Sequence, residues 1–159
     1  MYIPFQDMPS QARIWVYQAS RSLTAPELDQ IKQSLSQSCQ AWEAHGAPLL
    51  ASFEIKYNQV IVVAVNEAMN AASGCSIDAS TRWFKSLGDA LHVDFFSRDV
   101  AVVRDEHVEL LALGQLKSAV EAGQLTREDQ IITPLLQNVG QYRNEWLSTA
   151  EQSYLKRYF

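Results

Sequence analysis

The chain has 159 residues, 47% hydrophobic and 19% charged. That is material for one domain with its own core, and it excludes disorder and any need for disulfide or metal staples. Thirteen Lys and Arg against eighteen Asp and Glu leave a net charge of −5, which excludes the basic face that a duplex-binding or anionic-membrane module requires. The two cysteines, Cys39 and Cys75, are too few for a disulfide scaffold and fit a reducing, cytoplasmic setting. Residues Met1 to Asp7 carry no basic-then-apolar leader pattern, and no apolar run is long enough to span a bilayer. The expected partners are therefore a protein or a small molecule, with no nucleic acid and no membrane insertion.

The first periodic segment is Arg13-Ile14-Trp15-Val16-Tyr17-Gln18, β-branched and aromatic in alternation. Trp15 and Tyr17, if the C-terminal segment leaves them uncovered, form an apolar patch suited to a partner or to a homodimer. Thr24-Ala25-Pro26-Glu27 reads as a capping box with a proline in the first turn. Leu28, Ile31, Leu35, Cys39 and Trp42 then recur at helical spacing, with Gly46 expected to end the helix. Ala51, Phe53, Ile55 and Tyr57 alternate with polar residues in a half-buried strand. Val60 to Val65 is apolar throughout, a central strand, and Asn58-Gln59 makes the turn between them. A second helix is expected from about Ser76 or Asp78, with Trp83, Phe84, Leu87 and Leu91 inward. Val100 to Val103 is a fourth strand, answered by Val108 to Leu111, and a short helix from Gln115 to Ala122 stops at Gly123. Beyond Thr126 the pattern weakens and predicts a wrapping tail held by Ile131, Ile132, Leu135, Leu136, Tyr142 and Trp146.

Strand, helix, strand, strand, helix, strand is the split βαβ order. The expected fold is α+β, a ferredoxin-like antiparallel sheet with both helices on one face. One domain covers 1–159, its core about 10–123 and its C-terminal tail about 124–159 packed upon it.

Several chemistries are excluded by spacing. The six glycines lie nine or more residues apart, so neither a P-loop nor a dinucleotide fingerprint can form and no nucleotide cofactor is expected. His45, His92 and His107 have no histidine or cysteine partner at metal-ligand spacing, and Asp105-Glu106-His107 reads as a charged turn. No nucleophile elbow is present.

One local signal carries chemistry. Gly74-Cys75-Ser76-Ile77-Asp78 follows a strand and opens a helix, where free amides and the helix dipole favour negative charge and depress a thiol pKa. Gly74 permits a sharp turn, and Ser76, Asp78 or Ser80 can cap the helix. In the ferredoxin-like order His45-Gly46 reaches the same sheet edge. Cys75 and His45 are then candidate catalytic residues, with Gly46, Gly74, Ser76 and Asp78 as candidate binding residues. The competing reading makes Cys75 a small residue in a turn, the polar neighbours caps, and His45 a solvated helix end. Cys39, on the buried stripe, is inert packing.

Pro4-Phe5, Arg13 to Gln18, Trp42-x-Ala44-His45-Gly46, Ala51 to Asn58 and Gly74 to Asp78 together resemble a group of short bacterial proteins. Its members are commonly described as ABC transporter ATPases. The resemblance spans most of the chain and implies a link to transport, without an established mechanism. Three readings of function stand: a non-catalytic binding or interaction domain, a thiol-dependent enzyme or redox sensor using Cys75, and an accessory protein of a transport system.

Overall fold

A computed structural model describes residues 1–159. In chain order the elements are β1 (Arg13–Gln18), α1 (Ala25–Ala41), β2 (Glu43–Ala44), β3 (Ala47–Pro48), β4 (Leu50–Lys56), β5 (Val60–Asn66) and α2 (Gly74–Leu91). There follow β6 (Val100–Arg104), β7 (His107–Leu111), α3 (Leu116–Glu121), β8 (Gln130–Ile132), α4 (Val139–Glu145) and β9 (Leu147–Thr149). The fold is α+β with antiparallel sheets in the orders β1-β5-β4 and β7-β6-β8-β9, and β2-β3 forms a small ribbon. No helix is long and apolar enough to cross a membrane.

Alternation along two strands stacks these elements into four layers. Ile61, Val63 and Val65 of β5 face a cluster with Ile31, Leu35 and Cys39 of α1 and Phe84 and Leu87 of α2. Val60, Val62 and Ala64 face the other way, onto Ala101 of β6, Ile132 of β8 and Tyr142 and Trp146. Val100 and Val102 of β6 in turn meet Leu116 and Ala119 of α3 and Leu155. The order is thus helices, sheet, sheet, helical layer.

Local chemistry fixes the ends of the elements. Thr24 and Glu27 cap α1 reciprocally, and Arg21 clasps the Glu27 carboxylate at 2.8 and 2.9 Å while donating to the Leu91 carbonyl at 3.0 Å. One residue therefore joins the start of α1 to the end of α2. The hairpins β2-β3, β4-β5 and β6-β7 turn through His45-Gly46, Tyr57-Asn58 and Asp105-Glu106, all at positive φ, as type I′ geometry requires. Gly88 is needed for close approach: a Cβ there would lie 2.5 Å from the Val93 carbonyl oxygen.

Four expectations change. The ferredoxin-like sheet needs Val100–Arg104 beside β1, yet β6 lies in the second sheet between β7 and β8. Both faces of β6 are apolar, so it needs cover on both sides, and its place in the second sheet supplies this: β5 lies over one face and α3 with the C-terminal residues over the other. The supposed tail contributes β8, α4 and β9, so it builds the second sheet and does not wrap a finished core. Helix α1 ends at Ala41, capped by Trp42, and Gly46 (φ +77°) serves the β2-β3 turn. The β4-β5 turn centres on Tyr57-Asn58, one residue before the expected pair.

Leu35 is fully buried, so Leu35→Ala should cost about 2–5 kcal/mol in denaturant melts. Arg21 and hydrogen bonds from Thr24 hold the Glu27 carboxyl down at about 2. A depressed folded value means that its contribution is full above the unfolded value and is lost as pH falls through about 2. Arg21→Gln should raise the Glu27 value towards the ordinary carboxylate range, read from its side-chain carbonyl signal in an NMR titration.

Candidate functional site

The expected thiol edge does bring two loops together. The amide of Asn70, in the β5-α2 loop, donates to the carbonyls of Ala44 (3.2 Å), Ala47 (2.9 Å) and Pro48 (3.4 Å) around the β2-β3 turn. Trp42 Nε1 donates to the Ser76 carbonyl at 2.9 Å. The hairpin carrying His45 and Gly46 is therefore tied to the start of the helix carrying Cys75.

Within that frame the predicted residues divide. Helix α2 starts at Gly74, capped by Ser73, so Cys75 sits inside the first turn and is exposed. His45 is exposed at the tip of its turn, and no hydrogen bond joins it to Cys75. Ser76 is buried and fully engaged: its hydroxyl accepts from the Ser73 amide (2.7 Å) and donates to the Ser73 carbonyl (2.8 Å). It completes a capping box and is closed to a ligand. The sequence reading put Ser76, Asp78 or Ser80 in the capping role; Ser73 holds it, and Ser80 instead bonds the Tyr17 hydroxyl at 3.0 Å. Gly74 makes no sharp turn, and a Cβ there would meet nothing. Asp78 is exposed without a hydrogen-bond partner. Burial pushes the Cys39 thiol up to about 12, in keeping with its place in the core. No three His, Cys, Asp or Glu side chains converge on a point that could hold a metal ion.

The proposed Trp15-Tyr17 patch is also absent from the surface. Both side chains turn towards the helices: Tyr17 stacks on Phe84 at 3.7 Å, and Trp15 leans on Trp42 at 6.2 Å beneath the Arg13 guanidinium. It is the helix layer, and no C-terminal tail, that covers them.

A different feature stands out at the far edge of the same sheet. In an antiparallel pair, alternate residues direct their N–H and C=O groups to opposite sides. Ala12, Ile14 and Gln18 direct theirs away from β5: the Ala12 carbonyl accepts from Val139 (2.9 Å), the Ile14 amide donates to Gln137 (3.1 Å), and the Gln18 carbonyl accepts from Ser97 (3.3 Å). Val16 shares this outward orientation and has no partner for either group. Chain segments thus close the β1 edge at both ends and leave its middle open.

That opening lies in a cavity of about 540 Å³ between the two sheets, lined by Val16, Gln18, Ala101 and Ile132. Its rim carries Leu113, Leu135 and Tyr154, which are 55%, 86% and 47% exposed. A second hollow of about 510 Å³ adjoins it across Pro134, Leu135 and Tyr154. Leu135 was expected in the core, but it follows Pro134 in an irregular segment where no period says which of two adjacent leucines turns inward; Leu136 does. The unpaired backbone at Val16 has no sequence signal at all.

No family model, curated protein or solved structure matches the chain.

Thiol reagents separate the two cysteines. Ellman's reagent should label one thiol in the native protein, and Cys75→Ser should abolish that reaction. Cys39 should react only after unfolding.

Proposed function

We propose that the chain is a non-catalytic binding domain that takes an extended segment of a protein partner into the cleft between its sheets, against the open edge of β1. The observation that carries this reading is the unpaired N–H and C=O of Val16 at the base of a cavity rimmed by exposed Leu113, Leu135 and Tyr154. Unpaired strand-edge groups are satisfied by an added strand, and neighbouring pockets then select alternate side chains. Leu113, Leu135 and Tyr154 on one side and Arg98 and Asp99 on another suit a segment in which large apolar and polar residues alternate.

The proposal extends to topology. On this reading β1, β4 and β5 with α1 and α2 are part of a split βαβ, ferredoxin-like arrangement, and the strand order β1-β5-β4 with both helices on one face supports it. The place of that arrangement's fourth strand, beside β1, is where the partner segment would pair.

The exposure of Cys75 in the first turn of α2 favours a second reading, a thiol-dependent or redox-sensing role with His45 on the neighbouring hairpin. Under it, iodoacetamide should alkylate Cys75 faster than a free cysteine at neutral pH, and His45→Ala should slow that reaction.

Display of random short peptides on the purified protein tests the first reading. Enriched sequences should alternate apolar and polar residues, and Leu135→Asp should weaken their binding at least about tenfold. The melting temperature should stay near wild type, because Leu135 is solvent-exposed. Peptides N-methylated at the pairing position should also bind poorly. Equal binding to wild type and Leu135→Asp, together with indifference to N-methylation, would refute the reading.

A further inference from the structure

A separate cavity, of about 550 Å³, lies at the opposite edge of the first sheet and shares no residue with the cleft. Strand β4 presents Glu54 and Lys56 to it from the face turned to the second sheet; α4 and the residue after it contribute Tyr142, Arg143 and Trp146, and Phe5 closes one side. From these side chains we propose a binding site for a small aromatic monocarboxylate.

Charge comes first. The ion pairs of the molecule employ Arg21, Arg104 and Arg127. Lys56 and Arg143 belong to none of them. Arg143 is held in place by neutral acceptors, the carbonyls of Met8 (3.0 Å) and Gln6 (3.3 Å), which orient the guanidinium without neutralising it. The one carboxylate in the cavity, Glu54, accepts a hydrogen bond from the Tyr142 hydroxyl. Two cations and one anion leave the pocket net positive on a chain of net charge −5. A single carboxylate on the ligand would complete the balance, and a guanidinium with free N–H groups matches its geometry.

The walls specify the rest of the ligand. The Phe5 and Tyr142 rings meet edge-on at 5.6 Å, and those of Tyr142 and Trp146 at 4.9 Å. Together they form a flat-sided aromatic lining suited to a planar apolar body. Trp146 is only 8% exposed, and its indole N–H, shut off from solvent, finds no acceptor in the protein. A buried donor of this kind is costly to leave unmade. Trp146 lines the cavity, and a small rotation of its ring on binding would bring that N–H to a ligand oxygen held by Lys56 and Arg143.

The test reads the indole N–H signals of the full chain by ¹H–¹⁵N NMR during titration with 2-naphthoate, with Trp146→Phe assigning the Trp146 signal. Millimolar 2-naphthoate should move that signal downfield and leave those of Trp15, Trp42 and Trp83 in place. Lys56→Gln should weaken binding at least about tenfold, as should Arg143→Gln. Lys56→Gln, at a half-exposed position, keeps the test valid should the Arg143 variant unfold. The neutral 2-naphthamide should fail to compete. A Trp146 signal that stays fixed throughout, or an equal response to 2-naphthamide, would overturn the proposal. So would an equal response to inorganic phosphate, which would mark the pocket as a site for any anion.

Discussion

Everything in this molecule is arranged around the complete burial of β5. Six successive residues, Val60 to Val65, have no exposure to solvent. A strand can achieve that only with a neighbour on each edge and a layer over each face. β1 and β4 supply the neighbours, α1 and α2 cover one face, and the second sheet covers the other. Burying a Val or Ile side chain is worth about 1.5–3 kcal/mol, so this one strand concentrates a large share of the apolar driving force. The second sheet exists to meet that demand. Its own central strand, β6, repeats the problem one layer further out and recruits α3 and the C-terminal residues to solve it.

The same demand explains how much was legible in the sequence. β1, α1, β4, β5, α2, β6, β7 and α3 are long or periodic enough to read from spacing alone, and each is where its pattern places it, to within a turn at its ends. β8 and β9, at three residues apiece, are too short to show alternation. Their strand character comes from pairing with β6 and with each other, a tertiary fact. Without them β6 looked like the last strand of a single sheet, so the ferredoxin-like order was the natural reading of an incomplete set. The start of α2 was missed for a related reason. Its capping box has Ser76 where Glu or Gln is usual, a signature that residue type alone does not announce.

The candidate sites were less legible than the fold. The His45 turn and the start of α2 are neighbours, and what joins them is a structural tie made by Asn70 and Trp42. The cleft depends on which backbone groups lack partners, and the aromatic cavity joins Phe5, β4 and α4 from opposite ends of the chain. Neither has a local motif. Both lie along the edges of the first sheet, because β5 has used every other surface of that sheet for packing.

The three tight hairpins have a kinetic consequence. Each joins strands through two or three residues, so β2-β3, β4-β5 and β6-β7 can close early with little loss of chain entropy. β1 is different, because its only strand partner, β5, emerges after the whole of α1 and β4. Until β5 is available, Ile14, Trp15, Val16 and Tyr17 form an apolar segment without its strand partner. Until that pairing forms, this segment is the one most open to wrong pairing.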